Sequence, residues 1–261
     1  MIRGAGDLAS GIALRLHRCG IRVVMTELPQ PTAIRRTVCF SQAIVRGSCR
    51  VEEVTAVRAE TRENVDAALA KGYIPVLADV QAECKVWLQP DVLVDAILAK
   101  RNLGTKLTDA PLVIGVGPGF TAGEDCHAVV ETMRGHTLGR CIYEGSALPN
   151  TNIPGLIGGF AGERVLRAPD TGIFHALAEI GDHVKAGDVV GEVNGQPMCC
   201  TVSGVLRGLI ADRTAVTKNM KSGDVDPRDE ESYCYTVSDK AMAIAGGVLE
   251  AILHFSGSFP P

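Results

Sequence analysis

The segment Gly4-Ala5-Gly6-Asp7-Leu8-Ala9-Ser10-Gly11 spaces its glycines so that a strand can turn sharply into a helix. Such a turn aims backbone amides and a helix N-terminus at a phosphate. Glu27, closing the next β-rich run, stands where a ribose hydroxyl would need an acceptor. Gly4, Gly6, Asp7, Leu8 and Glu27 are therefore expected to contact a phosphate-bearing cofactor. Ala9 departs from the usual third glycine, and Gly11 follows two residues later. Arg35 and Arg36, beyond the breaker Pro29-Gln30-Pro31, can reach a phosphate held at this loop, with a pair of surface charges as the plain alternative. Asp79 ends the buried run Ile74–Ala78, where open α/β sheets place ligand contacts.

A second glycine turn runs from Gly115 through Gly117-Pro118-Gly119 to Gly123, and its crowded amides suit an anion or a carbonyl oxygen. Gly115, Gly117 and Gly119 join the expected cofactor contacts. Asp125, His127 and Glu131 follow. His127 and Glu131 share a face in either helix or strand, and a strand adds Asp125 to it. These three are the expected acid–base residues. The structural alternative is that Asp125 caps a turn, Glu131 pairs with Arg134 or Arg140, and His127 is half exposed. Zinc would need further ligands that the sequence does not mark, so no metal is expected. Lys100, Arg101 and Lys106 form a basic stretch able to neutralise phosphates, or simply a solvated one. Asn150, Thr151 and Asn152 form a polar loop that can overlie the pocket or serve as a linker. Cys199-Cys200 suggests redox chemistry, but strand alternation would put one thiol inward and the other outward.

The elements that must hold these residues follow from periodicity. Leu8–Arg18 reads as an amphipathic helix, Ile21–Met25, Val51–Ala59, Ile74–Ala78 and Leu112–Val116 as strands, and Arg62–Lys71 as a helix. Pro90–Lys100 fits helix or strand, with Pro90 at a first turn favouring helix. The expected fold class is α/β, with a Rossmann-like domain over residues 1–164. Residues 165–237 lose helical periodicity and carry a weak internal echo, Gly181-Asp182…Gly187-Asp188-Val189 against Gly204-Val205-Leu206…Gly223-Asp224-Val225. A barrel-sandwich domain of the lipoyl/biotinyl type is expected there, with a hairpin tip at Asn194-Gly195. The tip has no lysine, so no covalent lipoyl or biotin is expected. Residues 238–261 should form a helix, capped by Ser238, packing back on the first domain.

The chain has 261 residues, 46% hydrophobic and 21% charged, with a net charge of −4. That charge argues against broad nucleic-acid or membrane-surface binding. No apolar run approaches the ~20 residues of a bilayer span. No charged-then-apolar leader is expected ahead of the first strand. Nine cysteines, an odd number with no C-x-x-C pair, suit buried thiols in a reducing compartment. A cytoplasmic protein is expected, and a homo-oligomer on general frequency.

Ile2-Arg3-Gly4-Ala5-Gly6-Asp7-Leu8-Ala9, Arg35-Arg36, the Gly115–Gly123 turn with Asp125 and His127, Val129-Val130-Glu131-Thr132-x-Arg134-Gly135-His136, and Gly223-Asp224-Val225-Asp226-Pro227-Arg228 occur in order. On these motifs the chain resembles the YqeB-type accessory proteins of selenium-dependent molybdenum hydroxylase systems. The resemblance implies a part in maturing a molybdenum hydroxylase client, with an unidentified nucleotide or a molybdopterin-type cofactor between the two glycine turns. A nicotinamide (NAD(P)) oxidoreductase, relying on His127 with Asp125 or Glu131, and a non-catalytic client-docking module are the alternatives. Whether the chain is an enzyme stays open.

Overall fold

Apolar runs bounded by glycine and proline form the strands of a large mixed sheet. The structure is a computed structural model describing residues 1–151 and 153–257; Asn152 and residues 258–261, which the polar-loop and C-terminal expectations include, lie outside the described residues. The chain divides into two compact units, whose described residues are 1–31, 39–151 and 237–257 in the first and 32–38 and 153–236 in the second.

In the first unit the strands are β1 (Ile2–Arg3), β2 (Met25–Glu27), β3 (Ser48–Val51), β4 (Val54–Ala59), β5 (Ile74–Ala78), β6 (Val92–Asp95), β7 (Leu112–Val116), β8 (Thr121–Ala122), β9 (Ala128–Val130), β10 (Cys141–Ile142) and β11 (Gly145–Ser146). The helices are α1 (Asp7–Arg18), α2 (Gln42–Arg46), α3 (Arg62–Ala70), α4 (Lys85–Leu88) and α5 (Asp239–Ser256). Nine strands pair in the order β10-β9-β7-β6-β1-β2-β5-β4-β3, with β8 and β11 apart as a small ribbon. The inner strands run parallel, and β3 and β10 close the two edges antiparallel.

This corrects the expected Rossmann-like domain with its barrel-sandwich partner. The sheet is large, mixed and thinly clothed in helix. Between β6 and β7 the chain makes only a short 3₁₀ turn at Leu107–Asp109, and between β7 and β9 it makes no helix. The favoured helix at Pro90–Lys100 is instead β6. Val92, Leu93 and Val94 fit the pleat between β1 and β7, and Leu93 and Val94 are buried there.

The long helices cover the sheet by close approach at small residues. On α1, a Cβ at Gly11 would lie 2.7 Å from the Cβ of Ala241 on α5, and Gly247 of α5 leaves room for the Gly139 carbonyl. Ser238 caps α5, accepting the Ala241 N–H at 3.2 Å. Ile244 and Val248 of α5 are fully buried, each contributing about 1.5–3 kcal/mol.

The second unit has two four-stranded sheets. Its strands are β12 (Val165–Arg167), β13 (Gly172–Ala176), β14 (His183–Val184), β15 (Val189–Val193), β16 (Gln196–Cys199), β17 (Gly204–Leu209), β18 (Ala215–Val216) and β19 (Lys221–Asp226). They pair as β12-β19-β17-β14 and β16-β15-β13-β18 around Phe174, Leu206, Leu209 and Val225. Asn194 and Gly195, both at positive φ, turn β15 into β16. This unit is not continuous in sequence. The early segment 32–38 belongs to it, with the Leu209 N–H donating to the Ile34 carbonyl at 2.9 Å.

Candidate functional site

The parallel strands of the first unit all end at one edge of the sheet. The chain leaves β1 for β2 on one side, and β6 flanks β1 on the other. This is a topological switch point, where open α/β sheets leave a crevice for ligands. Gly4, at φ +95°, starts the loop there, and Gly6 precedes α1 with no side-chain cap on that helix. A Cβ on Gly6 would meet nothing within 4 Å, so the loop opens to space at the helix start. Asp7 and Leu8 form the first turn of α1 and are half-buried.

Glu27 closes on this loop. Its carboxylate accepts the Ala5 N–H at 2.9 Å and the Leu28 N–H at 2.8 Å. Burial pushes its pKa above the ordinary range despite these two bonds. Asp79 is tied to the same place, its N–H donating to the Glu27 carbonyl at 3.1 Å. Its carboxylate accepts the Cys84 N–H at 2.8 Å, next to the start of α4. Burial would raise Asp79, but the amides of Cys84, Glu83 and Ala82 outweigh it and hold the carboxyl below its usual range.

The second turn is occupied by protein. A Cβ on Gly115 would fall 2.5 Å from Phe120 Cγ, one on Gly117 2.8 Å from Thr132 Oγ1, and one on Gly119 2.5 Å from Arg101 Cα. A Cβ on Gly4 would likewise lie 2.9 Å from the Ala96 carbonyl oxygen. The segment 96–101 therefore lies against glycines of both turns. Four of the expected cradle glycines are explained by side-chain or backbone neighbours, and Gly6 alone faces open space.

Asp125, His127 and Glu131 do not form one centre. Asp125 accepts the Thr121 N–H at 2.9 Å and Asn102 Nδ2 at 3.0 Å, closing the 121–125 turn. His127 Nδ1 accepts the Val113 N–H at 3.0 Å, at the start of β7 and β9, and its ring meets Phe255 edge-on. Glu131 follows the far end of β9, roughly 13 Å away along an extended chain. It is buried, accepting the Met133 N–H at 2.6 Å and the Leu148 N–H at 2.8 Å. Sharing a face was not enough, because the strand separates the pair end to end. Arg35 and Arg36 lie in the second unit, where they donate to the carbonyls of Tyr233 at 2.8 Å and Leu209 at 2.7 Å. Among the described residues no group of three or more His, Cys, Asp and Glu is arranged to hold a metal ion.

Sequence reasoning gave Arg3 no separate role and left Asp95 inside the ambiguous segment Pro90–Lys100. They are direct neighbours on β1 and β6, both buried and paired at 3.2 Å. The available signal was a charge inside an apolar run at each place: Arg3 after Ile2, and Asp95 after Val92-Leu93-Val94.

The fold and edge thus define an open, mixed α/β sheet with a bare helix start at its switch point. No family model matches the chain. It is similar to the uncharacterized protein YqeB of Escherichia coli (strain K12), 49% identical over 253 residues, 97% of this chain and 47% of that protein. The likeness to YqeB-type proteins thus extends over nearly the whole chain, while the chain spans about half the length of the curated relative it matches. Among solved structures it is similar to an aspartoacylase family protein from Mesorhizobium loti, at 10% identity and TM-score 0.27, covering 78% of this chain and 84% of that one. It is also similar to a succinylglutamate desuccinylase/aspartoacylase from Rhodobacter sphaeroides, at 14% identity and TM-score 0.25, covering 86% of each chain. At these scores neither likeness bears on the site. No helix among the described residues is long and apolar enough to cross a membrane.

Proposed function

We propose that this chain is an accessory protein for maturation of a molybdenum hydroxylase, holding a phosphate-bearing nucleotide or molybdopterin-type cofactor at the start of α1. One observation carries the binding half: Gly6 faces open space at the uncapped start of a 12-residue helix. The first amides of a helix lack internal acceptors, and its dipole favours an anion there by about 0.3–1 kcal/mol, more when partly buried. The client half rests on the likeness to YqeB-type proteins. The contact set is smaller than the two-turn cradle, because Gly4, Gly115, Gly117 and Gly119 meet protein. An oxidoreductase reading loses its proton donor, since His127 and Glu131 stand at opposite ends of β9.

Native mass spectrometry of the purified chain, followed by calorimetric titration with ADP and with inorganic phosphate, tests this. A co-purifying pterin or nucleotide, or saturable micromolar binding of ADP, is expected. The reading fails if neither anion binds and Gly6→Val leaves activation of the client hydroxylase unchanged.

A further inference from the structure

The hairpin between β15 and β16 turns on an asparagine that glycine follows, the single such pair among the six asparagines of the chain. Val193 pairs with Gln196, so Asn194 and Gly195 alone make the turn, at φ of 53° and 73°. Two positive φ values in a two-residue loop define a type I′ turn. As the mirror image of type I, it sets ψ of its first residue at about +30°. Asn194 is exposed. Because Gly195 has no side chain to shield it, its backbone nitrogen can attack the Asn194 side-chain carbon Cγ once the two come together.

The closed turn keeps them apart. A five-membered ring needs Asn194 Cβ to eclipse the Gly195 nitrogen about the Cα–C bond, and at the ψ of this turn the two stand nearly opposed. The side chain is also tied elsewhere. Its Nδ2 donates to Asp170 Oδ2 at 3.0 Å and to the Thr171 carbonyl at 3.0 Å, so both amide hydrogens are engaged. The Asn194 amide, and then the Thr171 N–H, hold the Asp170 carboxyl below its usual range, which keeps it an anion at neutral pH. Gly172 belongs to the same contact, since a Cβ there would lie 2.8 Å from Asn194 Oδ1. Thr171 Oγ1 in turn accepts the Lys218 N–H at 2.9 Å. The turn 170–172, which leads into β13, is thus clasped to the hairpin tip through the Asn194 amide.

We propose that Asn194 is a self-modification site gated by this hairpin, and that its conversion to a carboxylate releases the tip from residues 170–172. When the turn opens, the Gly195 nitrogen gives its proton to solvent and attacks Asn194 Cγ. The new N–C bond closes a succinimide, the Cγ–Nδ2 bond breaks, and Nδ2 takes up a proton and leaves as ammonia. Water then adds to one of the two ring carbonyls and reopens the ring as aspartate or isoaspartate. The sum is one water consumed and one ammonia released, with no oxidant or reductant. Either product sets a carboxylate beside Asp170 where a donor stood, and like charges so close repel. Isoaspartate also routes the main chain through Cβ, which a two-residue turn does not accommodate. The tip therefore does not clasp again, and the step runs one way.

Peptide mapping by mass spectrometry follows the full chain in mildly alkaline buffer, both folded and in urea. In urea Asn194 should convert faster than the other asparagines. In the folded chain it should convert at least about tenfold more slowly than in urea, as it must if opening the turn costs about 1.4 kcal/mol or more. Asp170→Ala removes one acceptor from the clasp and should speed conversion in the folded chain about three- to tenfold, with the rate in urea unchanged. Asn194→Asp reproduces the charge of the product. Its amides over residues 189–199 should exchange hydrogen faster than those of the unaltered chain, while protection elsewhere is kept. Equal rates in the folded chain and in urea, or a folded rate indifferent to Asp170→Ala, overturn the gating. Unchanged hydrogen exchange in Asn194→Asp overturns the release.

Discussion

Replacing Gly6 by aspartate should stabilise the protein and remove its anion binding in one step. Gly6 has φ −69° and ψ −174°, a conformation open to any residue, and its Cβ would meet nothing within 4 Å. An aspartate there becomes the N-cap that α1 lacks, worth a few tenths of a kcal/mol over glycine, with about 0.3–1 kcal/mol more from its charge at the helix start. Asp7 and Glu27 oppose that charge, so the net gain is set at about 0.5–1 kcal/mol, or an increase of about 1–4 °C in Tm for a protein of this size. Binding should move the other way. A fixed carboxylate about 4 Å from a bound anion costs about 4 kcal/mol at an effective dielectric of 20, close to a thousandfold in affinity. Gly6→Asn supplies the same bulk and a comparable cap without the charge, so it should lose far less affinity. Differential scanning fluorimetry and titration with ADP measure the two effects on the same preparations. An aspartate variant that melts lower, that binds ADP as the unaltered chain does, or that matches the asparagine variant in affinity would falsify the placing of an anion at this helix start.

Other outcomes follow from the same structure. Gly119→Ala should cost about 3–5 kcal/mol in urea melts, since it combines φ of +109° with a Cβ 2.5 Å from Arg101 Cα. Gly123→Ala, strained at φ +90° but unobstructed, should cost only about 1–2 kcal/mol, and equal losses would contradict the packing argument. In native-state alkylation Cys19 and Cys199 should react first, because they are exposed. Burial lifts the thiols of Cys84 to about 12 and of Cys126 and Cys200 to about 11, so these should label only with denaturant. Asp226 is buried, which alone would raise its pKa, yet Arg228 and Arg207 outweigh burial and hold it below the ordinary 3.8. Its folded pKa is depressed, so its contribution is present above 3.8 and lost as pH falls through the lower folded value. Acid unfolding followed by circular dichroism should show this loss, and Asp226→Asn should flatten it while lowering stability at neutral pH by about 3–5 kcal/mol.

Local signals were legible where one physical cause acted. The first helix, the strand Ile74–Ala78 and the strand Leu112–Val116 follow from periodicity and apolar runs, and Ser238 marks the start of α5. The layout of the sheet was less legible, because it depends on what does not form. Nothing in Pro90–Lys100 forbids a helix; the strand forms because Leu93 and Val94 bury themselves between β1 and β7. The segment 32–38 joins the second unit through one backbone hydrogen bond from Leu209 to Ile34 and through side-chain bonds from Arg35, Arg36 and Thr37 to backbone carbonyls, whose positions no side-chain pattern encodes. Arg35 and Arg36 belong to that segment, and their guanidiniums donate to carbonyls of the second unit.

The glycine turns show why the candidate site was only half readable. A glycine that makes room for a ligand and one that makes room for another strand, ring or loop are written identically. Gly115 admits the Phe120 ring, Gly119 admits the backbone of Arg101, and Gly4 admits the Ala96 carbonyl. Each is required by the protein's own packing, whatever binds nearby. Gly6 differs because removing its side chain serves no neighbour. A carboxylate does serve one: Glu27, placed by the dinucleotide pattern as a ribose acceptor, has both oxygens on loop amides. Of the residues the pattern assigned to a phosphate, Gly6 at the start of α1 is the one with open space beside it. The ribose part of the pattern has no such opening unless Glu27 releases the Ala5 amide. Glu27→Gln leaves one oxygen to accept where two accept now, so it should loosen the loop and weaken phosphate binding along with any nucleoside binding. If Glu27→Gln instead weakens ADP binding while leaving inorganic phosphate untouched, the carboxylate recognises the nucleoside after all, and its role as a clamp on the loop is wrong.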